Sequence, residues 1–335
     1  MLDVLSYSMT QLVSKNSDHS ALSPYPTAHL IREIGRGVKG ARSLSRADAQ
    51  ELYGAMLDGR VSDLELGAIL IAMRIKGESV DEIAGFLQAA EASFASLDAP
   101  SSSYMPIVIP SYNGARRVAN LTPLLAMLLA RAGAPVLVHG VTHDANRVTT
   151  AEIFQEMGVV ASTSHQHARQ QWQQSLPAFM PIESLAPKLA QLLALRKIIG
   201  LRNSTHTLVK IMQPFAQPAL RLASYTHPEY AMMLTDFFTN VADPARGGAL
   251  LMRATEGETV ANTKKIQQIE WFHAGQKSTL VKAQPSGDEV LPIPADAEGT
   301  ARWISQVMAG AEPVPDNIAE QVRHCLSVAQ HKKAN

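Results

Sequence analysis

The hydrophobic period of the chain changes near residue 100, and no other feature of the sequence limits its fold as strongly. Upstream, the segments HLIREIGRG, LSRADAQELYGAMLDG, VSDLELGAILIAMRIKG and SVDEIAGFLQAAEASF follow one another with glycines at the breaks. In the fourth, Ile83, Phe86, Leu87, Ala90 and Phe94 recur at helical spacing. Ser62 with Glu65 and Ser79 with Glu82 have the S-x-x-E spacing of a capping box, in which a hydroxyl accepts from a backbone N–H left over at the helix start while the carboxylate reaches back to another. Downstream of the loop SSSYMP, the short apolar runs PIVIPS, PVLVHG, GVVAST and PAFMPI alternate with helical stretches such as LTPLLAMLLARAG and TTAEIFQEMG. Strand, helix, strand in repetition predicts a mostly parallel sheet with crossover helices.

The expected fold class is thus α/β, with a small N-terminal all-helical domain and a larger α/β domain around a mostly parallel central sheet. Residues 1–26 carry little periodic pattern and read as a lead-in ending in SPYP. A helical domain is expected over 27–98, joined by the insert SLAPKLAQLLALRKIIGLRNSTHTLVKI at roughly 184–210, and the α/β domain over 99–183 and 211–330. Within the latter, ALLMRAT and STLVKA read as further strands, and TARWISQVMAG and DNIAEQVRHCLSV as closing helices. At 335 residues, 46% of them hydrophobic, the chain can bury a sizeable core. It shows neither a membrane-spanning apolar run nor a basic and apolar leader, so the cytoplasm is the expected compartment. The single cysteine, Cys325, excludes an intrachain disulfide and a cysteine zinc cluster, and reads as a buried helix thiol.

Formal net charge is zero, but its distribution is uneven. Residues 99–228 hold eleven Lys and Arg against four acids, and neither Ala99–His143 nor Ser184–Pro228 contains an Asp or Glu. Such asymmetry predicts a face for a polyanion. On the insert, Lys188, Arg196, Lys197, Arg202 and Lys210 have no compensating acid in sequence, and the spacing of Lys188, Leu192 and Arg196 predicts a stripe along one helix face.

The stretch VIPSYNGARR at 108–117 reads as a strand running into a turn and a helix, the kind of corner at which backbone N–H groups hold anions. Only one glycine, Gly114, is present to let a ligand approach the backbone. Arg116 and Arg117 can bind phosphate oxygens bidentately, and Tyr112 offers an aromatic face for an unpaired base. Other signals are weaker. His165 and His167 lack partner ligands for zinc, Trp172 reads as an anchored surface residue, and Gly35–Gly37 as a helix terminator with no strand before it.

The segment order, the string LSRADAQELYGAMLDGRVSDLELGAILIAMRIKGES, and the later ANLTP, VHG and LRKIIGLRN resemble the anthranilate phosphoribosyltransferase family over roughly residues 27–330. IVIPSYNGAR, RNSTHTL and THPEY resemble its nucleic-acid-binding, YbiB-type branch. The resemblance implies a phosphoribosyltransferase or nucleoside phosphorylase fold and a homodimer formed through the N-terminal helices. It also locates departures from the enzymes. Where their diphosphate loop reads G-T-G-G-D, Pro110–Gly114 reads PSYNG, so Asn113, Gly114 and His139 are what remain of a diphosphate pocket. In the K-H-G-N motif only His139 and Gly140 match, and His139 reads as a structural strand-end residue. The magnesium-binding D-E pair falls on Thr259 and Val260, with Glu256 and Glu258 nearby on what reads as an ordinary solvated turn. Arg202 stands at the position of the enzymes' aromatic-acid-binding arginine.

The expectation is therefore a protein that binds single-stranded DNA or RNA with little sequence preference and has no catalytic residues, metal or cofactor. Its groove would lie between the two units and use Tyr112, Asn113, Arg116, Arg117, Arg147, Lys188, Arg196, Lys197, Arg202 and Lys210. The alternative is a working phosphoribosyltransferase or nucleoside phosphorylase with an altered substrate, which would need magnesium. A scaffold docking an acidic protein is a third reading.

Overall fold

A computed structural model describes residues 23–37, 39–284 and 293–331. Most of the lead-in and the middle of the proline-rich stretch before the closing helices lie outside the described residues. Four helices come first: α1 (Ala28–Ile34), α2 (Arg46–Leu57), α3 (Asp63–Lys76) and α4 (Val80–Ala92). Both expected capping boxes form, with Ser62 and Ser79 each accepting from the backbone N–H three residues on and receiving the returning carboxylate.

The chain then alternates through β1 (Ile107–Ser111), α5 (Thr122–Arg131), β2 (Val136–Gly140), α6 (Thr150–Glu156), α7 (His165–Gln173) and β3 (Ala178–Pro181). The insert breaks into α8 (Ile182–Leu185), α9 (Pro187–Ala194), α10 (Arg196–Ile199) and α11 (Thr205–Leu208), of which α9 packs on α2 and α11 on α4. After it come β4 (Leu220–Tyr225), α12 (Pro228–Asp236), β5 (Ala249–Arg253), β6 (Ile269–His273), β7 (Gln276–Val281), α13 (Ala297–Ala309) and α14 (Asp316–Ala329).

The strands form one sheet in the order β3-β2-β1-β4-β5-β6-β7, parallel from β3 to β5 and antiparallel from there on. Alternation along each strand feeds two apolar layers. Val108, Leu137, Met180, Ala223 and Leu251 join the core shared with α1 to α4. Ile109, Val138, Phe179, Leu222 and Leu250 face the layer holding α5, α6, α13 and α14, where Cys325 is fully buried. A parallel sheet covered on both faces explains why its strands read as continuous apolar runs.

Two local expectations need correction, and one further strand is a finding of the structure alone. GVVAST is not a strand: a backbone bond of 2.6 Å from Ser162 N–H to the Phe179 carbonyl ties it to the edge of β3, and Val160 points to solvent. Trp172 is buried rather than on the surface, its indole N–H donating to the Val136 carbonyl at 2.7 Å. The strand β4 goes unread in the sequence because Arg221 interrupts its apolar pattern. That arginine is buried, its guanidinium carbon 5.3 Å from the Phe238 ring centre.

Candidate functional site at the reversal of the sheet

From β1 the chain builds β2 and β3 to one side, then returns to lay β4 and β5 on the other. In an open parallel sheet the crevice beyond the strand ends at such a reversal is where ligands are held, because the loops diverge there. Three segments meet at this place: residues 112–117 after β1, Thr226 and His227 after β4, and the turn 255–258 after β5.

The turn after β5 is a tight two-residue hairpin. Thr255 and Glu258 exchange backbone hydrogen bonds of 3.0 and 2.9 Å, and the central Glu256 and Gly257 both have positive φ, +50° and +102°. A side chain at Gly257 would also strike the Asn113 amide, so only glycine fits. The hairpin presents two carboxylates to the corner after β1. Glu258, 1% exposed, accepts from the backbone N–H of Asn113 at 2.9 Å, from that of Gly114 at 2.7 Å and from the Thr122 hydroxyl at 3.4 Å. Glu256 accepts from the backbone N–H groups of both Arg116 and Arg117, and these bonds, with the nearby Arg147 and Arg117 charges, hold its carboxyl below the usual range although burial works against them. The expectation of solvated charges is therefore wrong for Glu258. The anion on this corner is the chain's own.

Around the corner Asn113 is buried and bonded at both ends of its amide: its NH2 donates to the Gly257 carbonyl at 2.8 Å and its oxygen accepts from Arg202 at 2.9 Å. Arg147 donates to the carbonyls of Gly114 and Glu256 at 3.2 and 2.9 Å. Tyr112 is half-buried, its hydroxyl 2.7 Å from His139 Nδ1, so its ring is no open platform for a base. His139 itself is fully buried, its Nε2 has no hydrogen-bond partner among the described residues, and burial pushes its pKa down to about 3. Thr259 is buried and donates to the Ser224 hydroxyl at 2.9 Å, and Val260 is buried.

Beside the corner opens a cleft of about 530 Å³, lined by Arg74 and Glu78 from the helical unit, Arg202, His206 and Lys210 from the insert, and Tyr225, His227 and Tyr230 from β4 and α12. Burial, opposed by Glu258 and reinforced by Arg202 and Arg147, brings the Lys210 pKa down to about 8. Loss of water, together with Arg196 and Arg147, lowers that of Arg202. Burial and the charges of Arg202 and Arg196 take His206 down to about 4, leaving it neutral at pH 7. These couplings describe converging positive charge.

The structure brings Asn113, Arg147, Arg202 and Lys210 together and sets Arg196 within electrostatic reach of Arg202. It does not bring the others there. Lys188 forms an ion pair of 2.6 Å with Asp58 at the C-terminal end of α2, so a compensating acid exists that sequence distance hides. The stripe expected along Lys188, Leu192 and Arg196 is broken, because Leu192 is buried and the helix is interrupted at Leu195. Lys197 is exposed, as are Arg116 and Arg117, and Arg117 borders a different hollow.

Sequence reasoning missed Arg74, which reads as an ordinary cation in the last turn of a helix, and His206, Tyr225 and Tyr230, whose partners are remote. Glu258 had a faint signal, the adjacent Gly257 in a turn between strands. Among the described residues no three His, Cys, Asp or Glu side chains gather as a metal site, and no helix is long and apolar enough to cross a membrane.

A helical bundle docked on a mostly parallel sheet is the architecture of the phosphoribosyltransferase-like proteins of glycosyltransferase family 3. Residues 28–93 match the family model described as glycosyl transferase family, helical bundle domain. The chain is 46% identical to the uncharacterized protein YbiB of Escherichia coli (strain K12) over 89% of its own length and 92% of that protein's. It is 26% identical to anthranilate phosphoribosyltransferase of Desulforamulus reducens over 84% and 82% of the two chains. Among solved structures, anthranilate phosphoribosyltransferase of Saccharomyces cerevisiae in complex with PRPP and Mg superposes with a TM-score of 0.69 at 15% identity, covering 91% and 90% of the chains. The Thermus thermophilus enzyme gives 0.66 at 18%, covering 89% and 88%. The chain belongs to this anthranilate phosphoribosyltransferase-like family and stands with YbiB in it.

Proposed function

We propose that the protein binds single-stranded nucleic acid through backbone charge in the cleft at the sheet's reversal, and does not transfer phosphoribosyl groups. The observation that carries this reading is the pairing of a self-occupied corner with a cationic cleft. The N–H groups of Asn113 and Gly114 already serve Glu258, so a diphosphate arriving there meets a buried negative charge instead of open donors. Magnesium does not fit either: Thr259 is spent on Ser224, Val260 has no donor atom, and Glu258 is turned onto the corner. Beside it, Arg74, Arg202 and Lys210 outnumber Glu78 and Glu229 in the lining of an open cleft where they can meet phosphates, and Tyr225 and Tyr230 supply the aromatic surface that Tyr112 does not.

Binding of single-stranded DNA, RNA and duplex DNA measured across a salt series tests the reading. Affinity for the single strands should fall linearly with salt on a log–log plot, with a slope of about 0.7 per phosphate neutralised, and R202E should weaken every sequence alike. Calorimetric binding of phosphoribosyl diphosphate with magnesium, with no oligonucleotide binding, would restore the enzyme reading.

The same reading includes a homodimer through the helical unit. Leu64 and Ile75 on α3 are 85% and 63% exposed and border an apolar hollow with Ile31, Ile34 and Ile71, a patch of the kind that marks an interface. L64R should shift the molar mass in light scattering from two chains to one; an unchanged mass excludes this face.

A further inference from the structure

Resting on the nucleic-acid reading, we propose a second phosphate-binding patch outside the cleft, formed by Arg116 and Arg117 with Lys264 and Lys265, over which a bound strand continues after leaving Arg202.

The juxtaposition is tertiary. Arg117 and Lys264 line one hollow of about 220 Å³, although 147 residues of chain separate them, and the described lining of that hollow contains no acid. Arg116, Arg117, Lys264 and Lys265 are all exposed, and none forms an ion pair among the described residues. The nearby carboxylate of Glu256 is engaged by the two backbone N–H groups of Arg116 and Arg117 rather than by their guanidinium groups.

Both loops are held from below, so the cations stand on fixed backbone. Glu256 clamps the N–H groups of Arg116 and Arg117, while the Asn262 side-chain oxygen accepts from the N–H groups of Lys264 and Lys265 at 2.8 and 3.1 Å. Using the backbone donors this way leaves the guanidinium and ammonium groups as the binding elements. Surface cations without ion-pair partners on a rigid base suit a phosphodiester backbone, which needs charge at intervals and no base recognition.

The patch is also continuous with the cleft. Asn113 receives Arg202 at one end of the corner, and four residues further on Arg117 borders the second hollow, a reach of at most about 14 Å of extended chain. A strand leaving the cleft past Arg202 therefore meets the patch within a few nucleotides.

The test compares oligo-dT of 4 and of 20 nucleotides on the full chain, wild type against K264A/K265A. The exposed lysine side chains make no described hydrogen bond, so thermal unfolding should be unaltered. The long oligonucleotide should bind several-fold more weakly to the variant and lose about 1.4 from its salt slope, the contribution of two phosphates, while the short one is unaffected. An unchanged affinity and slope for the long oligonucleotide, with wild-type binding intact, overturns the second patch alone. A wild-type protein that binds neither length overturns the nucleic-acid reading and the patch with it.

Discussion

The Glu258 carboxylate accepts a hydrogen bond of 2.7 Å from the backbone N–H of Gly114, across 144 residues of chain. Gly114 has φ +65°, and a side chain on it would strike the Val148 carbonyl, so the corner holds the shape that points this N–H inward. The corner is an anion-binding backbone conformation, and its occupant is a side chain.

Removing that occupant strands buried donors. E258A leaves the N–H groups of Asn113 and Gly114 without an acceptor, at a cost of about 1–3 kcal/mol for each that water cannot reach. E258Q keeps an acceptor oxygen and should lose less. Urea unfolding of the two variants checks this order; an alanine variant as stable as wild type would show that the carboxylate is not needed on the corner.

Charge in the cleft should titrate in the mildly alkaline range. Lys210 loses its proton near pH 8, because burial, Arg202 and Arg147 outweigh the attraction of Glu258. Under the proposed function, affinity for oligo-dT should therefore decline between pH 7 and pH 9 at constant salt. K210R keeps its charge throughout and should flatten the profile. A wild-type profile already flat across that interval would remove Lys210 from the interface.

Stability should fall on mild acidification. His139 and His206 have folded pKa values of about 3 and about 4, below the unfolded value of about 6.5. The unfolded chain then binds more protons as pH drops, so stability is complete above about pH 6.5 and is lost progressively toward the folded values. Between pH 6.5 and pH 5 the loss is roughly 1–2 kcal/mol per histidine, before most carboxylates titrate. Glu91, raised by burial, acts in the opposite sense near the lower end. Denaturation midpoints that stay level from pH 7 to pH 5 would contradict neutral burial of both rings.

Lys188 and Arg202 separate charge that is engaged elsewhere from charge that faces the cleft. Lys188 is paired with Asp58 at 2.6 Å, whereas Arg202 lines the cleft. K188A should cost no more than about 1 kcal/mol of stability and leave oligonucleotide affinity and salt slope unchanged. An equal loss of binding in K188A and R202E would mean that the strand runs along the insert after all.

Much of the architecture was legible because it is written in local chemistry. The serine and glutamate pairs at 62–65 and 79–82 cap helices whichever neighbours they have, and PIVIPS and PVLVHG carry the uninterrupted apolar character of strands buried on both faces. The run LRLASY hid a strand because the buried arginine in it is supported by the Phe238 ring and by the charges of Glu91 and Asp243, all remote in sequence. GVVAST looked like a strand but meets the sheet edge through the Ser162–Phe179 backbone bond without forming a strand.

The sequence by itself determined the two-part fold, the alternation of strands with crossover helices and the uneven distribution of positive charge, because helix caps, hydrophobic period and residue counts depend only on neighbours along the chain. Only the tertiary structure decided what that charge faces. Asp58 takes Lys188, Asn113 takes Arg202, and Glu258 fills the corner, since Coulomb attraction and hydrogen bonding act over a few ångströms of space regardless of separation in sequence.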